Sequence, residues 1–159
     1  MDARNRIVEA VDRLAQAGRL PIRRHREDDA ETFAVDADRW RLEIVVAPKW
    51  LGLTFEVLDS GGKPTLAHRI DTDLYDISQP RYAEFASETE EEIVDFVGAL
   101  ATGEVRVGSI GDRPAMTLPT DAGWYRIHKG RFVTSGKHFE SVADAESGGH
   151  FEPLLPAAG

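Results

Sequence analysis

The sequence predicts an α+β protein, an antiparallel sheet of a meander plus hairpins packed by two main helices. Three observations carry that prediction. Residues 39–70 alternate apolar and polar with a period of two, the pattern of half-buried strands. Pro48 and Ser60-Gly61-Gly62 cut this stretch into three strands joined by turns. Apolar residues at helical spacing, Ile7-Val11-Leu14 before it and Ile93-Phe96-Val97-Leu100 after it, supply the cover its apolar face needs.

The chain has 159 residues, enough for one domain that buries a sizeable core. We expect a single α+β domain over 1–146 and a loosely ordered tail over 147–159, where Gly, Pro and Ala dominate. There are no cysteines, which excludes disulfides, thiolate metal sites and a cysteine nucleophile together. Neither end reads as a targeting segment, and no apolar run approaches the ~20 residues that span a bilayer. The expected location is cytoplasmic, without a membrane partner. A net charge of −9 argues against nucleic acid and suits a basic protein partner.

Taken in order, residues 3–17 form the first helix. Ile7, Val11, Leu14 and Ala15 line one face, Asp2/Arg6 and Glu9/Arg13 stand at acid-before-base spacing, and Gly18 stops it. The bases Arg19, Arg23, Arg24, His25 and Arg26 are followed at once by Glu27, Asp28 and Asp29. That order reads as a short strand and turn whose charges pair locally. Thr32-Phe33-Ala34-Val35 is a further short strand. In the meander, Trp40, Leu42, Ile44, Leu53, Phe55 and Val57 point to one face. With Val11, Leu14, Phe96 and Val97 they are the expected core.

The connector 71–82 carries Asp71, Asp73 and Asp76, which turn-making explains better than a metal, since the glycine and closing glutamate of a calcium loop are missing. The second helix is expected over 88–102, with Ser87 and Glu90 as a capping box and Gly103 as its stop. Strands follow at 105–107 and 115–118. A tight hairpin at Lys129-Gly130 is expected to join 124–128 to Arg131-Phe132-Val133-Thr134, and Ser141 to Ala145 to make one helical turn.

No catalytic, metal or cofactor motif emerges. The histidines at 25, 68, 128, 138 and 150 lack zinc-ligand spacing, and His68 falls on the apolar face of its strand. Gly108-Ser109-Ile110-Gly111 is not a nucleophile elbow, and the glycines form no phosphate-binding loop. The expectation is a protein that is not an enzyme and needs no cofactor.

Two surface features remain as partner-binding candidates. From Tyr82 to Val105 there is no lysine or arginine, and at 100° per residue Glu88, Glu91, Glu92 and Asp95 fall on one stripe opposite Ile93 and Phe96. Like charges at i, i+4 cost a helix about 0.2–0.5 kcal/mol each, so an uninterrupted acidic stripe points to a basic partner. The second feature is the meander tip Ser60-Gly61-Gly62-Lys63-Pro64, an exposed loop on a rigid hairpin.

The layout of N-terminal helix, meander with this glycine-rich tip, acidic helix, and the segment 111–120 before Gly123-Trp124-Tyr125 resembles the small acidic immunity proteins of bacterial polymorphic-toxin systems. The resemblance implies a protein that binds a cognate toxin domain and occludes its active site. Two other readings fit parts of the chain. One is a secretion-chaperone-like protein, since such proteins also combine acidity with α+β architecture. The other is a small-molecule-binding enzyme using Tyr125, His128 and His138 around the last hairpin.

Overall fold

The computed structural model describes residues 3–155; Asp2, and with it the expected Asp2/Arg6 pair, lies outside the described residues. Helix α1 (Ala3–Gly18) is followed by five strands in sequence: β1 (Ile22–Glu27), β2 (Ala30–Asp36), β3 (Trp40–Val46), β4 (Leu51–Leu58) and β5 (Pro64–Asp71). A 3₁₀ turn (Pro80–Tyr82) leads into α2 (Ala83–Thr102). Then come β6 (Arg106–Ile110), β7 (Arg113–Thr120), β8 (Gly123–Lys129), β9 (Thr134–Phe139), α3 (Val142–Ala145) and β10 (Gly149–Pro153). The architecture is α+β, with two five-stranded antiparallel sheets ordered β1-β2-β3-β4-β5 and β10-β6-β7-β8-β9.

The expected meander is the heart of the first sheet, extended at one edge by the β1–β2 hairpin. Its register explains the core. Leu42 stands opposite Phe55 and Ile44 opposite Leu53, Phe33 pairs with Ile44, and Leu66 with Val57, so one face is apolar across four strands. Helices α1 and α2 pack together over that face. Ile7, Val11 and Leu14 from α1 meet Ile93, Phe96, Val97 and Leu100 from α2 in one cluster. All ten residues expected in the core are buried in it. Val107, Met116, Leu118 and Ile127, from the inner face of the second sheet, complete the same cluster.

β1 is the expected short strand, but its arginines pair with acids on neighbouring elements and not with Glu27, Asp28 and Asp29, because the β1–β2 register and α1 bring Asp36 and Asp12 beside them. The Arg24 guanidinium donates to Asp12 of α1 at 2.9 Å and lies 5.5 Å from the Phe33 ring centroid, and Arg23 bonds Asp36. In the connector, Asp71 accepts from the Asp73 amide and Asp76 from the Ser78 amide, so these aspartates make turns. Arg41 and Glu56, directly opposite each other, form a cross-strand pair at 2.7 Å.

Four boundaries depart from expectation. Helix α2 begins at Ala83, so Ser87 and Glu90 lie inside it and form no capping box. Pro80 opens the preceding 3₁₀ turn with a preset φ, and Ala83-Glu84-Phe85-Ala86 continue it with no residue to stop a helix. At the other end Gly103 takes the left-handed conformation (φ 79°) that closes the helix, as expected. In α1 the left-handed residue is Arg19 (φ 52°), not Gly18, and the Leu20 amide reaches back to the Ala15 carbonyl.

The last hairpin is wider than Lys129-Gly130. Lys129 pairs with Thr134, leaving residues 130–133 as a loop that the Gly130 amide closes on the Val133 carbonyl at 2.8 Å. Arg131-Phe132-Val133 carry strand-like composition, yet that preference holds only where there is a surface to pack against. In the expected tail, Gly149–Pro153 instead form β10, pairing with the free edge of β6 from Gly149–Ile110 to Pro153–Arg106. Edge pairing of this kind draws on backbone groups and leaves little trace in apolar periodicity. Residues 156–159 lie outside the described residues.

Candidate partner-binding surface

Helix α2 divides its acids between two faces. Turned inward, Glu90 is buried beside Ile93 and Val97, and the Arg6 guanidinium of α1 approaches it at 3.4 Å. Turned outward, Glu88, Glu91, Glu92 and Asp95 are all exposed, on the single stripe the helical period assigns them. Among the described residues none of these four forms an ion pair with a base.

The fold adds a fifth carboxylate to this surface. Asp121, in the turn between β7 and β8, comes close enough to act on Glu92 and Asp95. Partial burial, and then the charge of Asp121, push the Glu92 carboxyl above its ordinary range. Asp95 is also raised, first by burial and then by Glu91 and Asp121, with Arg6 opposing. Both shifts favour the uncharged form, the response of carboxylates crowded together and partly withdrawn from water. No sequence signal announces Asp121, since only the packing of the second sheet against α2 brings that turn to the helix. A cleft of about 470 Å³ opens beside the first turns of α2, lined in part by Asp29, Pro48, Ser87 and Glu90.

The meander tip is a separate, pre-formed feature. Asp59 Oδ1 accepts from the amides of Gly61 and Lys63, each at 2.9 Å, and the Asp59 amide donates to the Lys63 carbonyl at 2.8 Å. Gly62 sits at φ 80°, where a side chain would be strained. Ser60, Gly61, Gly62, Lys63 and Pro64 are exposed around this ring of bonds. No hydrogen bond, ion pair or ring contact among the described residues links the tip to the acidic stripe.

The histidines of the last hairpin are not brought together. Tyr125 stands opposite His138, with ring centroids 4.8 Å apart, whereas His128 stands opposite Ser135. An odd number of positions separates Tyr125 from His128 along the strand, so His128 and His138 project from opposite faces of the hairpin. His68 is half-buried against Phe96, its ring centroid 5.0 Å away, and burial lowers its pKa to about 4. Among the described residues no group of three or more His, Asp or Glu side chains is placed to hold a metal ion. Among the same residues no helix is long and apolar enough to cross a membrane. No protein-family description, curated protein or solved structure matches this chain.

Proposed function

We propose that the protein is a cytoplasmic binding protein that neutralises a basic toxin domain by covering its active site, as the immunity proteins it resembles do. The observation that carries this reading is the carboxylate surface of Glu88, Glu91, Glu92 and Asp95, none of them in an ion pair among the described residues, to which the β7–β8 turn adds Asp121. Acids gathered on one surface, with Arg6 alone opposing at Asp95, raise the energy of the free protein. A partner bearing arginines relieves that repulsion and gains bidentate, charge-assisted hydrogen bonds. The same charge steers the encounter over roughly a Debye length, about 8–10 Å near physiological salt.

In this reading the work is binding, with no cofactor, nucleic acid or membrane involved. The tip around Lys63 is a second candidate contact, since its internal hydrogen bonds pre-organise it and lower the entropy lost on docking. The test is affinity purification from the native host with the wild-type chain and a Glu91→Lys/Glu92→Lys chain as a matched pair. A basic protein recovered with the first and lost with the second supports the reading. Recovery of the same partner in equal amount with both chains refutes it.

A further inference from the structure

Among the described residues four large apolar side chains stand well exposed: Leu74 (95%), Tyr75 (48%), Phe132 (88%) and Val133 (71%). They form two consecutive pairs, and the charges around the pairs are opposite in sign. Leu74-Tyr75 belong to the connector before α2, between Asp73 and Asp76, and Tyr75 lies against Phe85 of α2, which Glu84 precedes and Glu88 follows by one turn; the bases Arg81, on the Tyr82 ring, and Lys49, acting on Asp76, offset two of these four charges. Phe132-Val133 form the tip of the β8–β9 loop, preceded by Lys129 and Arg131, with the Arg131 guanidinium 5.2 Å from the Phe132 ring centroid.

Both pairs are held in place. Tyr75 is braced by Tyr82 and Phe85 at centroid distances of 5.0 and 5.5 Å. Backbone bonds from the Tyr75 amide to Thr72 and from the Ile77 amide to Lys49 fix its loop, and Gly130 to Val133 closes the other. An exposed apolar pair on a fixed loop has already met the ordering cost that binding would otherwise impose.

We propose that these two patches are the halves of one self-complementary interface, and that the chain pairs with a second copy of itself. The base-rimmed Phe132-Val133 tip of each copy seats against the acid-rimmed Leu74-Tyr75 patch of the other. Charge complementarity and exposure together favour this pairing. A basic apolar tip on a molecule of net charge −9 meets its most abundant matching surface on another copy of that molecule. Leu74 and Phe132 are each almost fully exposed, so the two patches do not cover each other within one chain. Each copy carries both halves, so a two-fold pair would make the same contact twice. The inference stands independently of toxin neutralisation and shares only Glu88 with that surface.

Sedimentation of the full chain tests it. Wild type is expected to form a reversible dimer whose dissociation constant rises roughly tenfold or more from about 0.05 to about 0.5 M salt. Lys129→Glu/Arg131→Glu, which reverses the tip, and Glu84→Lys/Glu88→Lys, which reverses the patch, are each expected to be monomeric with a wild-type circular dichroism spectrum. Mixing the two reversed chains restores opposite charge at both contacts of the pair and is expected to give a one-to-one dimer. Phe132→Ser, which leaves every charge in place, is expected to be monomeric as well. A wild type that stays monomeric up to about 0.5 mM, a dimer that survives either reversal, or reversed chains that fail to pair would each overturn the proposal.

Discussion

His68 converts the packing of α2 on β5 into a pH dependence. Its ring lies on the core side of the first sheet, opposite Phe55 in the strand register and against Phe96 of α2. Burial lowers its pKa from 6.5 to about 4, so the folded protein holds the imidazole neutral where the unfolded chain takes up a proton. The folded value is depressed, so the stability it contributes is complete above pH 6.5. It is lost as pH falls through the window down to about 4, and levels off below. At about 1.4 kcal/mol per pKa unit, the loss is on the order of 3 kcal/mol across that window. With a urea m-value of about 2 kcal/mol/M, the unfolding midpoint should fall by roughly 1.5 M.

The comparison that isolates the effect is wild type against His68→Leu, each unfolded in urea at pH 7, 5.5 and 4. Glu92 and Asp95, with raised carboxyl pKa values, act in the opposite sense over the lower part of the window, and they are common to both chains. They cancel in the difference. The wild type should lose stability relative to His68→Leu by about 3 kcal/mol between pH 7 and pH 4. Parallel midpoints over the whole range would mean that His68 is not withdrawn from water, and would refute the packing of α2 against β5.

Other consequences follow from the same geometry. Phe55, fully buried between Trp40 and Phe96 at centroid distances of 5.9 and 5.2 Å, should cost about 3–5 kcal/mol when cut to alanine, read as a urea midpoint. A melting temperature within a couple of degrees of wild type would show the β4 register to be wrong. Glu92→Gln should stabilise the isolated protein at pH 7 by a few tenths of a kcal/mol, since it removes a crowded charge that is largely solvent-screened. Because the folded carboxyl pKa is raised, that gain should vanish as pH drops below the ordinary value of 4.5; a gain that persists at pH 3 would assign it to another cause. Lys63→Ala/Pro64→Ala should leave the melting temperature nearly unchanged and weaken partner affinity if the tip enters a cleft. Full affinity in a surface-binding measurement would remove the tip from the interface.

The parts of this fold that were legible in the sequence are those whose cause is local. Alternation along Trp40-Leu42-Ile44 and Leu53-Phe55-Val57 places those side chains on one face whatever packs against it, and the 3.6-residue period does the same for Ile93, Phe96 and Val97. The acidic stripe was legible for the same reason, because four carboxylates on one helix face need no tertiary information. What escaped depends on partners distant in sequence. The pairing of β10 with β6, the salt bridge from Arg106 to Glu146, and the approach of Asp121 to Glu92 are set by where the second sheet docks. The sequence places Glu90 at the helix cap, yet α2 begins at Ala83, so it lies inside the helix on the face of Ile93 and Val97, where Arg6 approaches it. Phe132 and Val133 mislead in the other direction, strand-like in composition but left in a loop because the β8–β9 register joins Lys129 directly to Thr134 and passes them by.

Whether the outward acids of α2 are a recognition surface is tested most directly by one measurement. The association rate of the wild-type chain with its co-purified partner is compared with that of Glu91→Lys/Glu92→Lys at low and at high salt. Melting temperatures of the two isolated chains are recorded alongside. Long-range steering predicts a wild-type rate that falls steeply with salt, and a variant rate that is roughly tenfold or more slower at low salt and nearly flat as salt rises. It also predicts a variant as stable as wild type or more so, because a like-charge run is broken and Glu88 gains a lysine partner at i, i+4 through the Glu92→Lys change. Equal association rates at low salt would contradict the account and leave the stripe a solvated helix face.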